Sequence, residues 1–255
     1  MELNNRTSEQ DSILNLTRSA GLIFSGTVVK LGESTVPSVA PRDDLVVIKV
    51  DRGLRVDPVL GDLRGRMITM ATSSPGSLSP GERAVFFTRS WIHGGGIAVI
   101  EVAHLDLQAE DEVASAVDLL PDMHLTDRLL SADLVVVGEV TEVEQLPRMT
   151  YERDAALWAA AHLRVDRVLL GEPRDPVIVH FPTSVGPPWF KAPRFKVGQR
   201  GVFVLHERSS DGTWSEKSLE AGSLTALDPS DFLPEEKLPQ VEKVMATLDR
   251  EGGPR

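Results

Sequence analysis

Apolar, β-branched residues run together or alternate with polar ones in many short stretches, and only a few segments carry helical spacing. Leu45 to Val50 is short and rich in Val and Ile, and Ile97 to Val102 has the same character behind Gly94-Gly95-Gly96. Both read as strands, the second as the return arm of a hairpin. Ala161, Leu163 and Val165 alternate with His162 and Arg164, the period-two pattern of a half-buried strand. Ser209-Ser210-Asp211-Gly212 reads as the following hairpin turn. Helical spacing is clear in two places. From Glu110 to Leu120, Val113, Ala116, Val117 and Leu120 form one stripe, with acids at the N-terminal end where the dipole favours them. From Pro234 onward Leu238, Val241, Met245 and Leu248 share a face, with Pro239 near the start where a helix tolerates it.

The strand-like segments occur twice. Ser19 to Val28 lies over Ser131 to Val140 at an offset of 112 residues, sharing Ser-Ala, Leu, Gly and Val. Val50-Asp51-Arg52 lies over Val165-Asp166-Arg167, Met67 to Met70 over Val177 to His180, and Gly81 to Phe86 over Gly198 to Phe203. Four blocks in the same order, with only the gaps altered, are what two copies of one fold leave when their loops drift. The expected division is 1–121 and 122–255, with the seam at Pro121-Asp122 and a fraying tail from Glu251.

A strand that begins Ala-Asp-aliphatic and runs into Gly-x-Val is followed by one ending in Val-Asp-Arg-Val-Leu-x-Gly. Then come a third short strand, a long loop and a strand led by Val-Gly; in this chain the four are Ala132 to Val140, Val165 to Gly171, Val177 to Phe181 and Val197 to Leu205. This order resembles the netrin-like, or TIMP-like, module, over residues 124–250 and more weakly over 13–120. The resemblance implies a mainly β protein of two tandem, OB-like five-stranded barrels, each with a C-terminal helix. It also implies a binding module without catalysis. Protease inhibition of the TIMP kind does not carry over, because Met1 stands where that activity needs a cysteine.

Composition narrows the chemistry. The 255 residues contain no cysteine, which removes disulfides, thiol nucleophiles and Cys-based zinc sites. Lys and Arg total 27 against 38 Asp and Glu, and a net charge of −11 argues against nucleic acid as a partner. No run of 18 apolar residues occurs, so no membrane span is expected. The first 18 residues are polar and mixed in charge, the pattern of a cytoplasmic chain or of an extracytoplasmic one whose leader has been removed.

His93-Gly94-Gly95-Gly96 matches an oxyanion loop of some esterases, but no Gly-x-Ser-x-Gly elbow accompanies it, and a hairpin turn is the favoured reading. His93, His104, His124, His162, His180 and His206 are scattered, without the short spacing that presents two imidazoles to a metal, so neither metal nor cofactor is expected.

The acids concentrate between Glu101 and Glu144, where twelve face the single base Arg128, a difference equal to the whole net charge. Within it Glu110, Asp111, Glu112, Asp118 and Asp122 form a candidate docking face, or else a solvated surface. The opposite pole is the loop from Ser184 to Lys196. Its Trp189, Phe190, Lys191, Arg194 and Lys196 are candidate partner contacts, alternatively a cap on an open barrel end. The function expected is non-enzymatic: protein binding, scaffolding, or head-to-tail self-association. The alternatives are a hydrolase built on carboxylates and His162, His180 or His206 between the two barrels, and an enzyme inhibitor.

Overall fold

The structure is a computed structural model that describes residues 2–92, 96–147, 157–172, 174–184, 186, 189–208 and 219–251, with only the backbone at 2–9, 92 and 251. The chain divides into two compact units, Met1–Leu120 and Pro121–Arg255.

In the first unit, helix α1 (Glu2–Ser19) precedes strands β1 (Leu22–Leu31), β2 (Leu45–Arg55), β3 (Met67–Ala71), β4 (Arg83–Ile92) and β5 (Ala98–Asp106). They close in the order β1-β2-β3-β5-β4, with β3 and β5 parallel and the other neighbours antiparallel. In the second unit β6 (Leu134–Gln145), β7 (Trp158–Leu170), β8 (Val177–Pro182), β9 (Arg200–Glu207) and β10 (Leu224–Thr225) repeat that order, and pairing of β10 with both β8 and β9 closes the ring. A short β11 (Phe232–Pro234) adds to β9. Helix α2 (Glu110–Leu130) follows the first ring and α3 (Leu238–Glu251) the second. This mainly β architecture of two closed five-stranded barrels, each followed by a helix, resembles the OB-fold.

One element goes beyond the expectations and one expectation needs correcting. Before Ser19, where the sequence suggested no element, α1 forms because Ile13, Leu14 and Leu16 pack with Ala20, Ile23, Val85 and Phe87 on the outside of the first barrel. Helix α2 does not stop at Leu120. Pro121 lies within it, and Leu125 and Leu129 carry the apolar stripe on into a cluster with Val135, Val202 and Val204. Burial of that second stripe outweighs the proline's missing N–H and its clash with the preceding turn.

Packing explains why these four blocks recur. Gly26 and Gly138 sit at register shifts where the first two strands of each barrel cross closely; an added Cβ would lie 2.7 Å from the Lys49 carbonyl oxygen and 2.5 Å from that of Arg164. Gly81 and Gly198 hold φ of +88° and +84°, a region open to glycine. Their N–H groups donate to the carbonyls of Val28 and Val140, each at 2.8 Å. Asp51 pairs with Arg83 at 3.2 Å and Asp166 with Arg200 at 2.7 Å, while Arg52 and Arg167 reach Glu110 and Glu242 on the helix that follows each barrel.

Inside the second barrel Phe181, Phe195, Phe203 and Phe232 form an aromatic core with ring centroids 5.0–5.6 Å apart. The first barrel packs Phe24 on Phe86, with Leu78 in the same cluster.

Candidate functional site

The loop from 183 to 199 joins β8 to β9. Its buried residues are Trp189, Ala192 and Phe195, and this three-residue spacing pins one side of the segment to the barrel. Phe195 enters the core, whereas Trp189 packs on Trp158 at 5.9 Å in a cluster with Leu219, fringed by Leu146 and Leu227. Trp158 starts β7 on the opposite face from Ala159 and Ala161, which point into the barrel. The tryptophan pair therefore lies against the outer surface, and the segments before β7, before β9 and before β10 each contribute to it.

The other side of the loop faces solvent. Phe190 is 57% exposed, and the Lys191 ammonium lies 5.4 Å from its ring centroid, within cation–π range. Arg194 Nη2 donates to the Ser184 carbonyl at 2.7 Å, which holds its guanidinium beside the loop. Lys196 is exposed next to Val197, itself 65% exposed. Of the expected contacts, Phe190, Lys191, Arg194 and Lys196 are thus each exposed, with Phe190 and Lys191 side by side. Trp189 is buried and supports that surface from beneath.

The acidic candidates separate into two kinds. Asp111, Glu112, Asp118 and Asp122 are exposed on α2, Asp122 accepting a hydrogen bond from Gln240 at 2.6 Å. Glu110 is tied into its own unit: the Ser25 hydroxyl facing it and the Arg52 guanidinium at 2.9 Å hold its carboxyl below the usual carboxylate range. Further along the acid-rich stretch, Glu139 accepts from Arg164 and Arg200, and Asp133 accepts the Glu207 N–H at 2.6 Å. Much of the local acid excess is structural.

Arg128, the lone base of that stretch, reaches Asp231, which is fully buried. Asp231 Oδ1 accepts from Arg128 Nε at 2.8 Å, and Oδ2 accepts the N–H groups of Leu227 and Asp228 at 2.7 and 2.8 Å. Asp228 caps the same turn and pairs with His124 at 2.8 Å. Burial pushes the Asp228 carboxyl up, but the Ser230 N–H, His124 and Arg128 outweigh it and hold the group below its ordinary value.

Among the described residues the histidines do not gather into one cluster. His206 Nδ1 donates to the Ser131 carbonyl at 3.0 Å, while His180 Nδ1 donates to that of Leu224 at 3.2 Å. His162 and His180 are diagonal neighbours on β7 and β8. Among the described residues no group of three His, Cys, Asp or Glu is placed to hold a metal. His93 and the glycines at 94 and 95 lie outside the described residues, as does the expected turn at Ser209 to Gly212.

Burial pushes the His180 imidazolium below the ordinary value near 6.5, against the opposing pull of Leu224 and Glu220. The folded protein then binds fewer protons than the unfolded chain, so stability is expected to fall as pH drops below about 6.5. Urea midpoints measured from pH 8 to pH 5 should show this slope, and His180→Gln should flatten it; an unchanged slope would assign it elsewhere.

One carboxylate–imidazole pair escaped sequence reading. His104 Nδ1 lies 2.5 Å from Glu101 Oε1, with the glutamate side chain 7% exposed. The pair forms because a register shift at Val102 puts both Val102 and Ala103 on the outer, helix-covered side, leaving Glu101 and His104 together on the other. His104 stands opposite Phe86, where the second barrel sets Phe232 opposite Phe203.

Among the described residues, no helix is long and apolar enough to cross a membrane. Neither the protein-family models nor the curated proteins match this chain. Among solved structures it is similar to a deletion mutant of the single-stranded DNA binding protein from Thermus aquaticus. That similarity covers 73% of this chain and 86% of the other, at 10% identity and a TM-score of 0.18, a level that bears on neither fold nor ligand.

Proposed function

We propose that the chain is a non-enzymatic protein-binding or scaffold protein, built from two barrels of the netrin-like or TIMP-like kind. Its partner contacts are Phe190, Lys191, Arg194 and Lys196. The observation that carries this reading is the exposed Phe190 ring under the Lys191 ammonium, set above a buried tryptophan pair. An exposed aromatic on a pinned loop loses little conformational freedom on binding, which favours it as an interface anchor. The flanking cations suit a protein segment that offers an apolar side chain beside carboxylates. The exposed acids Asp111, Glu112, Asp118 and Asp122 let a second copy supply that chemistry, so self-association is the form the same surface takes without another partner.

The test is the double variant Phe190→Ala, Lys191→Ala. Both side chains face solvent, so the melting temperature is expected to stay at the wild-type value. Cross-linked capture from the native cell should lose its partner, with affinity for that partner reduced at least roughly tenfold. Sedimentation of concentrated protein covers self-association. Equal capture and equal sedimentation by variant and wild type would remove the loop from the interface. Salt-sensitive binding of single-stranded oligonucleotide that the variant loses would replace the protein partner with nucleic acid.

A further inference from the structure

Within the second unit an open groove of about 620 Å³ runs between the second half of α2 and α3, its lining including Asp122, Thr126, Lys237, Lys243, Val244 and Leu248. Ligand pockets fall in roughly this range of volume, about 300–1,000 Å³. Polarity changes along it. Lys237 lies just before α3 and Lys243 one to two turns in. Among the described residues neither lysine has a carboxylate within ion-pair distance. Asp122, the acid at this end, accepts from the neutral Gln240 amide at 2.6 Å and keeps its negative charge beside the two lysines.

Towards the C-terminal end of α3 the lining becomes aliphatic. Val244 and Leu248 form the floor, and Leu248 also borders a narrower gap between Leu129, Leu170 and Met245. Asp249 closes that end with a negative charge. From Lys237 to Leu248 the helix rise is roughly 16 Å.

We infer that this groove binds a monomeric anionic amphiphile, with its carboxylate or phosphate between Lys237 and Lys243 and its hydrocarbon chain along Val244 and Leu248 towards Leu170 and Met245. The two lysines outnumber Asp122 at this end, Val244 and Leu248 turn aliphatic surface to the chain, and Asp249 disfavours an anion that enters in reverse. The site is separate from the Phe190 surface, so its failure leaves the proposed function untouched.

The experiment is a titration of the full chain with sodium decanoate below its micellar concentration, followed by methyl NMR. Decyl phosphate, decanol and decyltrimethylammonium serve as parallel probes. Saturable shifts are expected at Val244, Met245, Leu248 and Leu170 and not at residues around Phe190, with the two anions bound roughly tenfold tighter than decanol. Lys237→Ala, Lys243→Ala should erase that preference while the methyl spectrum of the core stays unchanged. Three outcomes overturn the assignment: no saturable shift at Leu248, equal affinity for decanol or the cationic probe, or binding only to anionic vesicles, which would make the groove a membrane contact. Protection of these methyls by an acidic helical peptide with no response to decanoate would assign the groove to a protein helix instead.

Discussion

Replacing Asp231 by alanine is expected to lower the unfolding free energy of the second unit by about 3–5 kcal/mol, because it removes one member of a buried charge pair and orphans the other. The carboxylate is fully buried and answers four donor groups: Nε and Nη2 of Arg128 and the N–H groups of Leu227 and Asp228. Its removal leaves the Arg128 guanidinium three-quarters buried opposite an apolar methyl, and two backbone donors without acceptors. The connection between β10 and β11 would lose the turn that aligns Phe232 with Phe203. In a Trp91→Phe background the remaining tryptophans, at 158, 189 and 214, all belong to the second unit, so urea unfolding followed by fluorescence reports that unit alone. Asp231→Asn keeps one acceptor oxygen and should fall between alanine and wild type. A change below about 1 kcal/mol for the alanine variant would mean that Arg128 and the turn find other partners.

A loss of similar size, about 3–5 kcal/mol, is expected for Phe195→Ala, the usual range for emptying a buried phenyl site. Phe195 meets the rings of Phe181, Phe203 and Phe232 at 5.0, 5.4 and 5.6 Å, so its removal breaks three ring contacts at once. The variant also releases the loop that displays Phe190, and partner capture should weaken beyond what the lower stability accounts for. Phe195→Leu imitates the first barrel, where Leu78 fills the corresponding place three residues before the repeated glycine. It should cost less than half as much, because the leucine refills most of the volume. If leucine and alanine proved equally damaging, the ring contacts rather than filled volume would hold this loop.

What could be read from the residues follows from how locally each feature is encoded. The duplication was legible because Gly26, Gly81, Asp51 and Arg83 recur as Gly138, Gly198, Asp166 and Arg200, and each does the same work in its barrel. These residues answer to close strand crossings, turns and short ion pairs, which tolerate few substitutions. Helix α1 was not legible, since its helicity rests on Ile13, Leu14 and Leu16 meeting a surface built by Val85 and Phe87 far along the chain. The continuation of α2 through Pro121 is likewise a tertiary effect. At the candidate surface, composition pointed to the whole loop but could not separate Trp189 from Phe190. That distinction depends on where Trp158 stands, 31 residues earlier. The Glu101–His104 pair depends on a one-residue register shift, for which an isolated sequence carries no local sign.

Both sheets end where they began. Every strand of the two rings is paired on both sides over part of its length, and β11 adds three residues along β9. No strand of either ring is unpaired along one whole side, so room for an added strand, a backbone-driven mode of recognition, is confined to overhanging stretches such as 51–55 of β2 and 101–106 of β5. Runaway edge-to-edge stacking is suppressed for the same reason. On the proposed reading, recognition then falls mainly to side chains, and point substitutions are expected to alter it more than changes of backbone register.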